Sequence, residues 1–168
     1  MPLTFADIPA GVAVFIDANP FVYHFEPHPL LSSACGDLLQ RVANGEIDGY
    51  TSAEVLSDVA HRLMTLEAMR LFAWPYAGIV HRLRSHPAEV QQLGSHRLAI
   101  QEIDLMKVRV RDITRALVSR AADFTGQFGL LASDALVVAV MESYKFTHLA
   151  SNDADFDRVP WLTRYAPV

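Results

Sequence analysis

The first half of the chain alternates between continuous apolar runs and apolar residues at helical spacing. The run VAVFID is rich in Val and Ile and ends in Asp, which is typical of a buried parallel strand. Later segments repeat the alternation, with Asn44-Gly45 stopping the first predicted helix. The predicted elements are strands over 12–17 and 47–52 and helices over 30–43 and 53–72.

The second half continues the same alternation with less regular patterns. The segment SDALVVAVMESYKF is apolar nearly all round, so the helix that it predicts is expected to be central. Residues 21–28 hold aromatic residues and histidines and are expected to form a loop near Asp17. The other predicted elements are helical structure over 76–98 with a break at 85–87, a third strand within 100–108, helices over 111–124 and 133–146, and a last strand over 147–151.

Alternating strands and helices predict an α/β fold with a mainly parallel central sheet. Right-handed crossovers then place helices on both faces of the sheet. The length of 168 residues favours one domain over 1–168. The apolar fraction of 51% is large enough for a substantial core.

Cysteine usage and segment hydropathy narrow the class of protein. The only cysteine, Cys35, excludes an internal disulfide and multi-cysteine zinc sites, and it is expected to be a small buried apolar residue. The first residues carry no cationic leader, and no segment approaches the ~20 apolar residues that span a bilayer. We therefore expect a cytoplasmic protein that does not enter a membrane.

The formal net charge of −5 argues against broad, charge-driven binding of nucleic acid. A bound divalent cation would reverse this conclusion, because the ion inverts the charge of the acids that surround it. The positions of the acidic residues therefore matter more than their number.

Four acidic residues are predicted to meet at one edge of the sheet, where ligands of open α/β sheets bind. Asp17 ends the first strand, and Asp153 follows the predicted last strand. Glu54 and Asp134 lie in the first turns of two helices. Crowded carboxylates favour a hard cation such as Mg²⁺ or Mn²⁺, and Asp155 is a further candidate ligand.

Each acid also has an ordinary structural explanation. Glu54 completes the sequence TSAE, a capping box in which Glu bonds a backbone N–H. Asp134 has the position of a residue that complements a helix dipole. Asp153 is of a kind that commonly forms turns and caps, and Asp155 and Asp157 are of a kind that often occupies solvated turns. Asp17 is the exception, because it follows an apolar run and has no solvent by default.

Three blocks of the sequence together cover the candidate acids: VFIDANPFVYHF, TSAEVLSDVAHRL and LLASDALVVAVMESYKFTHLASNDADFDRVP. In this order they resemble the three blocks of the PIN domain family, and its VapC-type toxins most of all. The resemblance implies a Rossmann-like three-layer α/β/α sandwich and an Mg²⁺- or Mn²⁺-dependent ribonuclease. It also implies an RNA substrate, a homodimer and a cognate antitoxin.

The resemblance also assigns roles to individual residues. Asp17, Glu54, Asp134 and Asp153 match the family's acidic quartet. The supporting polar residues are matched by Asn19 beside the first acid and by Ser151 beside the last. The chain departs from the family at Pro20 and in a long middle region, 69–110.

The middle region has two interpretations. Its histidines and arginines form either a surface for substrate or antitoxin or an ordinary solvated face. The nearby apolar residues suit either an interface or a core. The residues concerned are His81, Arg82, Arg84, His86, His96 and Arg97, and then Leu71, Phe72, Trp74 and Tyr76.

Three other functions remain open from the sequence. A haloacid-dehalogenase-like phosphatase requires a second acid where this chain has Asn19. A PIN scaffold without catalysis would bind RNA or a protein partner. A housekeeping PIN nuclease would cleave RNA without an antitoxin.

Overall fold

The protein is built on one five-stranded sheet in which every pairing of neighbouring strands is parallel. The computed structural model describes residues 3–167, and the strand order is β3-β2-β1-β4-β5. The predicted single domain over 1–168 includes Met1, Pro2 and Val168, which lie outside the described residues. The strands are β1 (Ala13–Ile16), β2 (Asp48–Ser52), β3 (Arg109–Arg111), β4 (His148–Ala150) and β5 (Thr163–Tyr165).

Helices connect and cover these strands, and the α/β fold predicted from the alternation is confirmed. The longest, α3, has the predicted bounds. The helices are α1 (Ala18–Phe25), α2 (Ser32–Ala43), α3 (Ala53–Phe72), α4 (Ile79–Ser85), α5 (Pro87–Val90), α6 (Ser95–Leu105), α7 (Arg115–Phe128) and α8 (Ala132–Tyr144).

The core is centred on β1 and α8. Val14, Phe15 and Ile16 of the central strand are fully buried, which explains its continuous apolar run. Helix α8 buries every residue from Ala135 to Met141, as its apolar composition predicts. Cys35 is also buried and unpaired, as predicted.

A buried carboxylate joins the long helix α3 to the middle region. The side chain of Glu67 accepts hydrogen bonds from the backbone N–H groups of Gly94 and Ser95, each at 3.0 Å, and from the Ser95 hydroxyl at 2.7 Å. These are the free N–H groups at the start of α6, so Glu67 caps that helix from a distance.

The segment over 100–129 differs from the prediction in two places. Residues 100–108 are mostly part of α6, because Ala99 and Ile103 are buried at a spacing of four residues and form a helical apolar face. The third strand lies just beyond, at Arg109–Arg111. The helix predicted over 111–124 begins later, because Thr114 caps its N-terminus, and it ends at Gly129 in the left-handed conformation.

One α-helix and one strand were not predicted. Helix α1 occupies the segment expected to be a loop, because the Asp17 side chain caps it and Pro20 falls in its first turn, where proline is tolerated. Strand β5 extends the sheet beyond residues 147–151, so the strand predicted to be last is fourth. Its three residues are too few to give a periodic signal.

Within residues 3–167, no single helix is both long and apolar enough to cross a bilayer. Helices α7 and α8 pass only when taken together, and they are bent by 111°.

Gly49 tests the contact between β2 and α2. A Cβ at this position would lie 2.6 Å from Val42 Cγ1, a stiff buried side chain, and 3.3 Å from Ile16 Cδ1. We expect Gly49→Ala to lower the free energy of unfolding by about 1–3 kcal/mol through overpacking, measured by urea denaturation.

The matched control is Gly126→Ala, because a Cβ there meets no atom within 4 Å and the residue lies inside α7. This change is expected to raise stability by about 0.5–1 kcal/mol. A Gly49→Ala protein as stable as the parent would contradict the described packing of α2 on β2.

Candidate active site

A pocket lies at the carboxyl ends of the central strands, where the sequence predicts a cluster of acids. Its volume is about 290 Å³. Three of the four predicted acids line it, from three distant segments of the chain. The lining residues are Asp17, Ala18, Glu54, Val55, Ser57, Asp58, His61, Ser133, Asp134 and Val137.

Asp17 is held in place by three hydrogen bonds. Its Oδ1 accepts from the backbone N–H of Ala18 at 2.7 Å, which caps α1. Its Oδ2 accepts from Asn19 Nδ2 at 2.9 Å and from Ser151 Oγ at 2.7 Å. Burial raises the pKa of Asp17, and the bonds from Ser151 and Ala18 oppose that rise.

The two predicted supporting residues also organise the loop after β4. Asn19 Oδ1 accepts from the backbone N–H of Asn152 at 2.8 Å. Ser151 Oγ accepts from the backbone N–H of Asp153 at 3.0 Å. The structure therefore brings Asn19 and Ser151 into direct contact with Asp17 and ties the first acid to the loop that carries the last.

Glu54 does not form a capping box at the start of α3. Ser52 occupies the N-cap, and its Oγ accepts from the Val55 backbone N–H at 3.3 Å. Glu54 is then the second residue of the helix, whereas a capping box needs Glu at the third. Thr51 is also engaged elsewhere, because its hydroxyl donates to the Ile16 carbonyl at 2.8 Å. The capping explanation for Glu54 is wrong, and its side chain lines the pocket.

The remaining pocket carboxylates repel one another. Burial is the largest cause that raises the pKa of Glu54, and together with the charges of Asp58, Asp134 and Asp17 it brings that pKa to about 7. Burial likewise raises the pKa of Asp134 to about 6, with Asp153 as the largest charge contribution. Asp134 lies in the first turn of α8, where the helix dipole favours the ionised carboxylate and so opposes the rise in its pKa.

The aspartates after β4 have different surroundings. Asp153 Oδ1 accepts from the Asp155 backbone N–H at 2.8 Å and caps a short 3-10 turn, and its charge acts on Asp134. Asp155 forms an ion pair with Arg158 at 2.7 Å. Arg164 holds Asp157 through two hydrogen bonds of 2.7 and 2.9 Å. Asp153 thus lies beside the pocket, while Asp155 and Asp157 each bind an arginine.

Sequence reasoning missed two pocket residues, Asp58 and His61. Both lie on α3, four and seven residues after Glu54, and they share its helix face. Helical periodicity counted forward from Glu54 would have found them. Asp58 contributes directly to the electrostatics, because its charge is the largest one acting on Glu54.

The donor set of the pocket fits a hard divalent cation. Among its described lining residues there is no lysine or arginine, so carboxylate oxygens dominate. Within residues 3–167, no three Asp, Glu, His or Cys side chains are close enough to enclose one ion by themselves. Mg²⁺ tolerates such a site, because it keeps several waters and needs only one or two carboxylates.

Comparison with protein families and curated proteins gives two similarities. The family model described as PIN domain matches residues 14–162. Ribonuclease VapC2 of Methanocaldococcus jannaschii is 25% identical over 158 residues, which cover 89% of this chain and 90% of that protein.

Solved structures share the fold at low sequence identity. Mycobacterium tuberculosis VapC20, described as a sarcin-ricin loop cleaving toxin, gives a TM-score of 0.61 at 16% identity, over 89% of this chain and 97% of that one. VapBC2 from Rickettsia felis, bound to a promoter DNA fragment, gives a TM-score of 0.57 at 14% identity, over 92% of this chain and 98% of that one. A toxin–antitoxin complex from Klebsiella pneumoniae gives a TM-score of 0.53 at 12% identity, over 92% of this chain and 98% of that one.

The raised pKa values predict how stability depends on pH. Because Glu54 and Asp134 have pKa values above their ordinary ones, they favour the folded state only while protonated. This contribution is complete below about pH 4 and is lost as pH rises through about 6 and about 7. With EDTA at about pH 8, Glu54→Gln is expected to raise the free energy of unfolding by about 1 kcal/mol, after allowance for solvent screening.

The gain from Glu54→Gln should shrink as the pH is lowered to about 5, since Glu54 is then protonated in the folded protein. Glu102→Gln removes the same charge from an exposed position outside the pocket and serves as control. Urea denaturation at both pH values measures the difference. An equal gain from the two substitutions would show that the pocket charges do not oppose one another as described.

Proposed function

This chain belongs to the PIN domain family, and from that premise we propose that it is an Mg²⁺- or Mn²⁺-dependent endoribonuclease that hydrolyses RNA phosphodiester bonds. The observation that carries the proposal is the pocket in which Asp17, Glu54 and Asp134 converge from three segments. The pKa values of these acids are raised by burial and mutual repulsion, which is how groups at functional sites often differ from structural ones.

The proposed chemistry follows from what each carboxylate is free to do. Asp17 is fixed by three donors and presents an oriented oxygen to the pocket. Glu54 and Asp134 face it from the N-termini of two helices, and Asp153 flanks Asp134. These four residues would hold the cation. When bound, Mg²⁺ or Mn²⁺ supplies electrostatic stabilisation of phosphate oxygens and lowers the pKa of a coordinated water.

Asn19 and Ser151 would act as positioning residues. They touch Asp17 and the backbone of the loop after β4, so they fix the distance between the first and last acids. Asp155 is the weakest candidate ligand, because one of its oxygens already pairs with Arg158. RNA is the proposed substrate because the curated relative is named as a ribonuclease.

We further propose that the protein is the toxin of a toxin–antitoxin pair and, as its resemblance to VapC-type toxins implies, that it forms a homodimer. A structural relative is a toxin–antitoxin complex, and another is described as a toxin. A housekeeping nuclease would have the same pocket but no antitoxin.

One observation favours a second candidate, a PIN scaffold that binds RNA or protein without catalysis. Within residues 3–167, no three potential ligands enclose a single ion. The third alternative, a haloacid-dehalogenase-like phosphatase, does not fit. The position that needs a second acid is Asn19, whose amide donates to Asp17.

Cleavage of an RNA pool tests the proposal. The purified protein is incubated with structured and single-stranded RNA in Mg²⁺, in Mn²⁺ and in EDTA. Asp17→Asn and Asp134→Asn are expected to reduce the metal-dependent rate by at least about a hundredfold, because each removes a negative ligand. The control is Asp104→Asn, an exposed acid outside the pocket.

Circular dichroism establishes that the variants are folded. Cleavage that survives in both pocket variants would exclude these acids as the catalytic site. No cleavage by the folded parent protein in either metal would favour the non-catalytic scaffold.

The toxin assignment predicts an inhibitor encoded beside this gene. Co-expression of the neighbouring open reading frames should yield one product that co-purifies with the protein and blocks its cleavage of RNA. Light scattering of the protein alone should give twice the mass of one chain. If no neighbouring product binds or inhibits, the nuclease has a housekeeping role.

A further inference from the structure

A second groove begins where the acidic pocket ends. It lies between α3 and the segment that leads into α4, and its volume is about 240 Å³. The residues that line it are His61, Arg62, Thr65, Leu66, Tyr76, Ile79 and Val80. We refer to these seven residues as the α3–α4 groove.

The α3–α4 groove is continuous with the acidic pocket. The side chain of His61 lines both of them. The charge of α3 changes sign at this point, because Glu54 and Asp58 precede His61 on the pocket side and Arg62 follows it on the groove side. A polyanion with one phosphate in the pocket would therefore meet basic groups next to it.

Arg62 is available to bind an anion. Its only ion pair among the described residues is with Asp58, at the long distance of 3.9 Å, and both side chains are substantially exposed. An exposed pair of this kind contributes at most about 1 kcal/mol. Reorienting Arg62 toward a ligand therefore costs little.

Tyr76 differs from the aromatic residues around it. Phe72 and Trp74 pack against each other with ring centroids 4.9 Å apart, and Trp74 also packs against His86 at 5.1 Å. Tyr76 is 74% exposed, and among the described residues its ring takes part in no aromatic pair. The sequence left open whether these aromatic residues belong to a core or an interface. Phe72 and Trp74 pack against neighbouring rings, whereas Tyr76 lies exposed at the rim of the groove.

We propose that the α3–α4 groove binds the nucleotide next to the phosphate that occupies the acidic pocket, with Tyr76 stacking on its base and Arg62 and His61 contacting its phosphate. The proposal rests on the proposed ribonuclease function and specifies the form of the substrate. Because an exposed ring can stack only on an unpaired base, the substrate is single-stranded at this position.

Charge complementarity favours RNA over a protein as the occupant. Leu66, Ile79 and Val80 give the groove an apolar part that would suit a second copy of this chain, but Arg62 lines the same groove and His61 joins it to the acidic pocket. A nucleotide supplies a flat apolar base and an anion at adjacent positions.

Binding of RNA without cleavage tests the proposal. The probe is a short single-stranded RNA of mixed sequence that contains 2-aminopurine, titrated into the unsubstituted protein with Ca²⁺ as the divalent cation, and the RNA is checked for integrity after each titration. Tyr76→Ala should weaken binding by about ten- to a hundredfold and abolish the fluorescence quenching caused by stacking, whereas Tyr76→Phe keeps the ring and should retain both.

Arg62→Gln tests the phosphate contact. It should weaken binding and lower the slope of log affinity against log salt by about 0.7, the value for one phosphate contact on a single strand. Arg70→Gln removes the same charge from an exposed position on α3 outside the groove and should leave the slope unchanged. A duplex of the same sequence should bind without any difference between the parent and Tyr76→Ala.

The proposal is overturned if Tyr76→Ala and Arg62→Gln bind the single strand like the parent. It is also overturned if they change only the oligomeric state, which would assign the groove to a second copy of the chain. Failure of the proposed function is a separate result: binding that depends on Tyr76 without cleavage by the unsubstituted protein would retain the groove and exclude the nuclease.

Discussion

The parallel pairing of β1 with β2 on one side and β4 on the other determines where the acids of the pocket lie. Ile16 pairs with Ala150, so the next residues of the two strands, Asp17 and Ser151, are neighbours. The Asp17 backbone N–H donates to the Ala150 carbonyl at 3.1 Å, and the Ser151 hydroxyl donates to the Asp17 carboxylate. Residues 134 positions apart in sequence are thus fixed within hydrogen-bond distance.

The site combines one carboxylate whose oxygens accept several hydrogen bonds with other carboxylates that lack such partners. Asp17 receives three hydrogen bonds, which offset part of the cost of its burial. Glu54 and Asp134 lack comparable support, and the pKa of each is raised. An arrangement that opposes stability near neutral pH is expected where a fold serves binding or catalysis. A divalent cation would remove the repulsion that the chain itself leaves in place.

Elements with long periodic or continuous apolar signals could be predicted from the sequence, and the short ones could not. VAVFID and SDALVVAVMESYKF form the central strand and the central helix as expected. Strand β5 has three residues, and α1 depends on a cap supplied by Asp17 and on a proline in its first turn. Residues 100–108 were misassigned because an apolar spacing of four residues was not distinguished from a strand.

Within the candidate site, topology was predictable and side-chain geometry was not. The carboxyl ends of parallel strands gather Asp17, Glu54 and Asp134, and this follows from the order of elements. The engagement of Asp155 by Arg158, and the capping of α3 by Ser52 in place of Thr51, depend on local geometry that no spacing reveals. Asp58 and His61 lie beyond the first turn of α3, where the position of a residue relative to a strand end no longer indicates that it belongs to the site.

The central claim is that the acidic pocket binds a divalent cation through Asp17 and its neighbours. Isothermal titration calorimetry with Mn²⁺ in the absence of RNA measures this directly, because it depends neither on cleavage nor on the identity of the substrate. The account predicts saturable binding by the parent protein that is lost in Asp17→Asn and retained in Asp104→Asn. Absence of saturable binding by the folded parent, or equal binding by Asp17→Asn, would contradict it.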